Sequence, residues 1–193
     1  GLTFIPVIIF FASSPELASA ASITLGETTT LPSGDNGNGD LLIAQSAVLT
    51  QTATIESLSF YVTTAGGNLR LGIYDATVPS GGPGAKRAET ASFTPATGWN
   101  TQPVITPASL DPGSYWITYL PSSNTLAFVK TEDTSSSGRY YSFAYGTMPT
   151  TFSTAPNTTA SHWSFYATLS TAPAETTPPS TPTNLTATPV SSS

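Results

Sequence analysis

The feature that most constrains this chain is its rhythm. Between Ile23 and Leu169, short runs alternate apolar with polar residues, and Gly, Pro, Asn and Ser interrupt them. Alternation with period two gives each strand two different faces, and no stretch carries the i, i+3, i+4 spacing of an amphipathic helix. Strands are expected over 23–31, 41–49, 55–63, 69–75, 87–93, 104–105, 114–120, 126–130, 139–145 and 163–169. Many short strands with turn signals between them predict an all-β fold, an antiparallel two-sheet β-sandwich. Uneven spacing and long loops, such as 78–84, favour a jelly-roll-like double sheet over a simple meander.

The same alternation assigns faces. Leu58, Phe60 and Val62 share one face, as do Leu69, Leu71 and Ile73, then Tyr115, Ile117 and Tyr119, and finally Trp163, Phe165, Ala167 and Leu169. These sets are the expected core. Ala65-Gly66-Gly67-Asn68 is expected to close a hairpin and Asp111-Pro112-Gly113 a turn.

Composition narrows the function classes. Only 8% of residues are charged, against roughly 25% in ordinary soluble domains, and the formal net charge is -6. The five basic residues form no stripe, so the chain lacks the electrostatic footprint of a nucleic-acid binder or of a protein held on an anionic membrane. With no Cys, disulfides and thiolate metal sites are excluded.

Leu2 to Ala12 form an apolar run too short for a bilayer, which needs about 20 residues, and Ala18-Ser19-Ala20 offers a small-x-small cleavage pattern. Residues 1–20 therefore read as an export signal cut after Ala20; the competing reading is a buried strand or short core helix. The expected location is secreted, extracellular or at a cell surface, with no membrane contact once the signal is removed. The sandwich module is assigned to 21–171. Residues 172–182 are rich in Pro and Thr, and Pro lacks the donor a central strand needs, so they read as an extended linker.

Residues 183–193 resemble the start of a fibronectin type III domain. Leu71-Gly72-Ile73-Tyr74-Asp75, Gly98-Trp99-Asn100-Thr101, Pro112-Gly113-Ser114-Tyr115-Trp116-Ile117, Arg139-Tyr140-Tyr141-Ser142-Phe143 and His162-Trp163-Ser164-Phe165 together resemble a group of jelly-roll-like modules. Those modules sit beside fibronectin type III repeats in large secreted bacterial proteins. The resemblance implies an extracellular accessory module and carries over no ligand residues.

Catalytic patterns are sparse. His162 is the single histidine, and there is no G-x-S-x-G elbow. Glycoside hydrolysis would need two carboxylates facing each other across a sugar, and the acids lie mostly in loops. A non-catalytic role is therefore expected, with no cofactor beyond a possible structural calcium. Asp35, Asn36, Asn38 and Asp40 supply oxygens in a compact Gly-rich loop that could hold that ion, although the spacing departs from the EF-hand pattern. The alternative is a plain flexible turn.

The aromatic residues give the second lead. If the inward sets are right, Tyr61, Tyr74, Trp116, Tyr140 and Tyr166 point outward, beside short polar neighbours such as Ser59, Thr118 and Thr168. Such a face can stack on sugar rings, making a polysaccharide or surface glycan a partner. It can equally be stabilised by cross-strand ring pairs alone, with no ligand. Trp99 reads as a plug at the sandwich edge. Two readings follow: a structural or adhesive unit of a multidomain secreted protein, or a carbohydrate-binding module.

Overall fold

The computed structural model describes residues 20–132 and 138–172. The expected signal and linker, apart from Ala20 and Ala172 at their edges, lie outside these residues, as does the fibronectin-like run 183–193. The described residues form thirteen strands and no helix. They are β1 (Ser22–Gly26), β2 (Ser33–Asn36), β3 (Leu41–Leu49), β4 (Ala53–Thr64), β5 (Leu69–Asp75), β6 (Lys86–Glu89) and β7 (Gly98–Leu110). After these come β8 (Gly113–Pro121), β9 (Ala127–Glu132), β10 (Gly138–Ser142), β11 (Asn157–Thr159), β12 (Ser161–Trp163) and β13 (Phe165–Ser170).

Two sheets, antiparallel throughout, face each other without closing into a barrel. The first runs β1-β13-β4-β9-β12, with β7 also paired to β4 and β2 to β9; the second runs β11-β10-β3-β8-β5-β6. From β3 to β10 the chain changes sheet at every connection except that between β5 and β6. This is the jelly-roll-like alternation expected from the irregular spacing. It also corrects one turn. Ala65–Asn68 joins β4 and β5, which lie in different sheets, so it is a corner between layers rather than a hairpin.

The expected core residues all face the space between the sheets and are buried there. At its centre, Phe60, Tyr119, Phe128 and Phe165 pack their rings 4.8–6.5 Å apart, most of them edge-to-face. Those offset geometries suit the ring quadrupoles.

A second hydrophobic cluster lies on the other side of the second sheet. Leu42 and Ala44 of β3, Tyr74 of β5, and Trp116 and Leu120 of β8 meet Met148 and Phe152 there. The segment 143–156 thus covers the middle of the sheet, which is buried there on both faces; in β8 every residue from Tyr115 to Pro121 is buried. Strands covered on both sides lose the clean alternation of a half-exposed sheet. Burying a side chain such as Phe152 stabilises by about 1.5–3 kcal/mol. Hydrogen bonds fasten the segment at its edges. Lys86 N donates to Thr150 O at 2.8 Å, Phe152 N to Gly84 O at 2.9 Å, and Met148 N to Glu89 Oε2 at 3.0 Å.

The ends of the sandwich meet. β1 pairs with β13 so that Ser22 lies opposite Ser170 and Gly26 opposite Tyr166. Just beyond, Thr171 N donates to Ala21 O at 2.9 Å.

Candidate functional site

The five aromatic residues expected on one open face have three different fates. Tyr74 and Trp116 do point away from the core, but they lie under the covering segments, with 0% and 4% of their surface exposed. The Tyr74 hydroxyl donates to Pro149 O at 2.7 Å, and Trp116 Nε1 donates to Gly81 O at 3.0 Å. The Arg139 guanidinium sits 5.2 Å from the centre of the Trp116 ring. Neither residue can meet a sugar. Burial holds the Tyr74 hydroxyl far above the usual phenol range. Alternation correctly gave their side of the sheet; it could not show that a later segment folds over that side.

Tyr140 is also corrected. It packs against the inter-sheet core, while its neighbour Tyr141 turns outward onto the Phe152 cluster, the two rings 4.9 Å apart. Two adjacent tyrosines make the strand's parity ambiguous, and the outward reading assigned the wrong one.

Tyr61 and Tyr166 do share the open face of the first sheet. Between them stands Trp99 of β7, which lies opposite Tyr61 in the ladder. Its ring centroid is 5.4 Å from that of Tyr61 and 5.0 Å from that of Tyr166, at 72° and 62°. Trp99 is 36% exposed. It is therefore a strand residue at the centre of a surface cluster and not an edge plug. The Ser59 and Thr101 hydroxyls hydrogen-bond beside it at 2.8 Å. Sequence reasoning recovered only residues 104–105 of β7, because Pro103 and Pro107 interrupt it. β7 pairs with β4, and that ladder shifts register between Ala108 and Pro103, an irregularity of the kind at which Pro is tolerated.

The oxygen-rich loop 35–40 also divides. Asp35 and Asn36 belong to β2, paired with Phe128 and Ala127. Asn38 and Asp40 adopt positive φ, 64° and 58°, and Leu41 N closes the turn on Asn38 O at 3.1 Å. Asn and Asp are among the residues that best tolerate this left-handed backbone, so the composition answers a need of the turn. The side chains go to separate partners. Asp35 Oδ2 accepts from Trp163 Nε1 at 2.9 Å, Asn38 Nδ2 donates to Tyr119 Oη at 3.2 Å, and Asp40 Oδ1 accepts from Tyr145 N at 2.8 Å. Asn36 is exposed. The four do not converge on one point, and among the described residues no three His, Asp or Glu side chains cluster as a metal would require.

What Asp35 and Asn38 do share is a cleft of about 360 Å³, lined also by Tyr140, Lys130, Ser161 and Trp163. It opens between β2, β9 and β12 of the first sheet and β3, β10 and β11 of the second. Lys130 Nζ donates to Glu132 Oε1 at 2.7 Å and to Ser161 Oγ at 3.2 Å. The Glu132 hydrogen bond, with help from Asp35, raises the affinity of Lys130 for its proton. Tyr119, hydrogen-bonded to Asn38, is held well above the usual phenol range by burial and by the nearby Asp35 carboxylate. No sequence signal could have found this cleft, because its residues come from segments 35–43, 130 and 140–163.

Three further carboxylates hold structure. Asp75 Oδ1 accepts from Thr77 N, Thr77 Oγ1 and Ala85 N at 3.3, 2.6 and 2.9 Å, shaping the loop after β5. Glu89 Oε1 pairs with Lys86 Nζ at 2.7 Å, and Glu56 Oε1 accepts from Ser170 Oγ at 2.6 Å. His162 lies in β12 opposite Thr131. Compared with known proteins, the chain matches no family model and no curated protein.

Proposed function

We propose that this chain contributes a non-catalytic extracellular module, a structural and adhesive unit of a larger secreted or surface protein. The observation that supports this best is the commitment of its reactive side chains. Asp35, Asp40, Glu56, Asp75 and Glu89 each accept hydrogen bonds that fix a strand end, a loop or the covering segment. Hydrolysis of a glycoside needs two carboxylates left facing each other across a substrate, and these are instead engaged by backbone and side-chain donors of the sandwich. The adjacent ends of β1 and β13 add to the reading. A sandwich whose two ends leave from one side can hang from a chain and present its far side.

The test is to incubate the purified chain with panels of glycoside, ester and peptide substrates, and separately with polysaccharides and cell-envelope preparations. Retention on a surface or polymer without turnover is the expected result. Turnover that follows the protein through purification and disappears in an acidic-residue variant would overturn the proposal.

A second reading rests on Trp99. With Tyr61 and Tyr166 it forms an exposed aromatic patch bordered by hydroxyls, the chemistry a polysaccharide chain would stack upon. Its rings are tilted to one another, so a sugar would lie on Trp99 and be flanked by the tyrosines.

A further inference from the structure

The geometry points to the cleft between Tyr140 and Trp163 as a binding site for a neutral saccharide of one or two rings. This goes beyond the structural and adhesive reading and is separate from the open patch around Trp99. Three properties of the cleft select the ligand.

The first is size. About 360 Å³ falls at the small end of the range for ligand sites, which is roughly 300–1,000 Å³. A short saccharide suits that space; a polymer lying across a flat face does not need it.

The second is the mixture of walls. Half-buried Tyr140 supplies the aromatic surface for the C–H face of a pyranose, with Leu41 beside it, while the buried Trp163 and Ile43 form the wall behind them. Asp35, Asn38, Lys130 and Ser161 supply the polar side. A purely apolar ligand would leave the spare donors and acceptors of these groups unmet.

The third is charge and unused capacity. The Asp35 carboxylate is an acceptor and the Lys130 ammonium a donor, and both line the same cleft. An anion would meet Asp35 and a cation would meet Lys130. A polyol can satisfy both, because each hydroxyl donates and accepts. The polar groups are also preset. Trp163 Nε1 orients Asp35, and Tyr119 Oη orients Asn38 while leaving the Asn38 amide oxygen without a hydrogen bond among the described residues. Lys130 uses two of its three N–H donors, on Glu132 and Ser161. The Tyr140 hydroxyl has no hydrogen-bond partner among the described residues, although the ring is packed against the core. Groups fixed in place with capacity to spare need little reordering when a ligand arrives.

The test uses the full chain and ligand-observed NMR with glucose, galactose, maltose and cellobiose, beside glucuronate and glucosamine as charged controls. At least one neutral sugar should bind, and no more weakly than the charged sugars. Asp35→Asn keeps an acceptor for Trp163 Nε1 but removes the charge. It should weaken binding about tenfold, as expected for losing a charged hydrogen bond. Tyr140→Ala should weaken it at least as much. Trp99→Ala should leave it unchanged. Thermal melts would confirm that each variant is folded. Absence of binding by every sugar to the folded chain would overturn the proposal. So would binding lost in Trp99→Ala but kept in Tyr140→Ala, which would assign the sugar to the open patch. Detection of turnover would count against the non-catalytic reading and not against the cleft.

Discussion

Tyr74 and Pro149 are 75 residues apart in the chain, yet the tyrosine hydroxyl donates to the proline carbonyl at 2.7 Å. This bond joins the second sheet to the segment that covers it. Tyr74→Phe keeps the ring against Phe152 and deletes only the bond. Expected is a loss of about 1–2 kcal/mol in denaturant unfolding, because Pro149 O loses its partner. Trp116→Ala removes the ring under Arg139 and the bond to Gly81. It should cost about 3–5 kcal/mol, a large share of the roughly 5–15 kcal/mol that keeps a domain folded. Increased protease cutting within 76–84 or 143–156 would accompany it. A Trp116→Ala variant with unchanged stability would show that the cover does not depend on this ring.

Glycine at position 26 is required by geometry. Its φ is +115°, and a Cβ there would lie 2.5 Å from Phe165 O and 2.7 Å from Ile117 Cδ1. The oxygen belongs to backbone inside a ladder and cannot step aside. Gly26→Ala should cost roughly 2–4 kcal/mol, combining left-handed strain with overpacking. Gly98→Ala is the control: its φ is +100°, but nothing lies within 4 Å of the added carbon. It should lose only the conformational part, about 1–2 kcal/mol. Urea midpoints of the two variants would separate clash from strain.

Alkali should unfold the chain through its buried phenols. Burial raises the pKa of Tyr74 and Tyr119 far above the ordinary value of about 10. Their unfolded forms release protons near pH 10 while the folded forms hold them. Stability is therefore unaffected below about pH 10 and falls as pH rises above it, by up to about 1.4 kcal/mol per pH unit for each phenol kept neutral. Unfolding free energies at pH 8, 10 and 11, with phenolate absorbance followed in parallel, check the sign. Equal stability at pH 8 and 11 would contradict it.

Trp99→Ala should leave the chain folded. Trp99 touches two rings at the surface, and each such pair contributes about 0.5–1.5 kcal/mol. A loss of roughly 1–3 kcal/mol is expected, measured by urea unfolding. On the second reading, retention on an insoluble polysaccharide should fall with it. Unchanged retention would leave the patch as sheet stabilisation alone.

Sequence alternation recovered β3 and β5 with their observed bounds, and it placed Phe60, Ile117 and Phe165 in the core. It did so because those strands have one face turned to the opposite sheet, and hydrophobicity then follows parity. β2, with the sequence SGDN, and β11, with NTT, escaped notice because they carry no apolar face. They form because β9 and β10 offer ladder partners. The burial of Trp116 was hidden for a related reason. Whether an outward ring meets water depends on Met148 and Phe152, which lie more than thirty residues downstream in a segment with no strand pattern. The candidate cleft was legible only in fragments. Asp35, Asn38 and Tyr140 stood out singly, under two different hypotheses, and register alone brings them beside Lys130 and Trp163.

The pairing of β1 with β13 also fixes how the sandwich would respond to tension. Its terminal rung, Ser22 opposite Ser170, lies where both chain ends leave. A pull on those ends would not load the ladder in shear, with all rungs resisting together. It would load Ser22–Ser170 first, then Ile23–Leu169, one rung after another. A pair of hydrogen bonds taken singly yields at far less force than five rungs taken at once. Held under tension by both ends, the sandwich would act as a tear strip, with β1 peeling from the sheet before the aromatic core beneath felt the load.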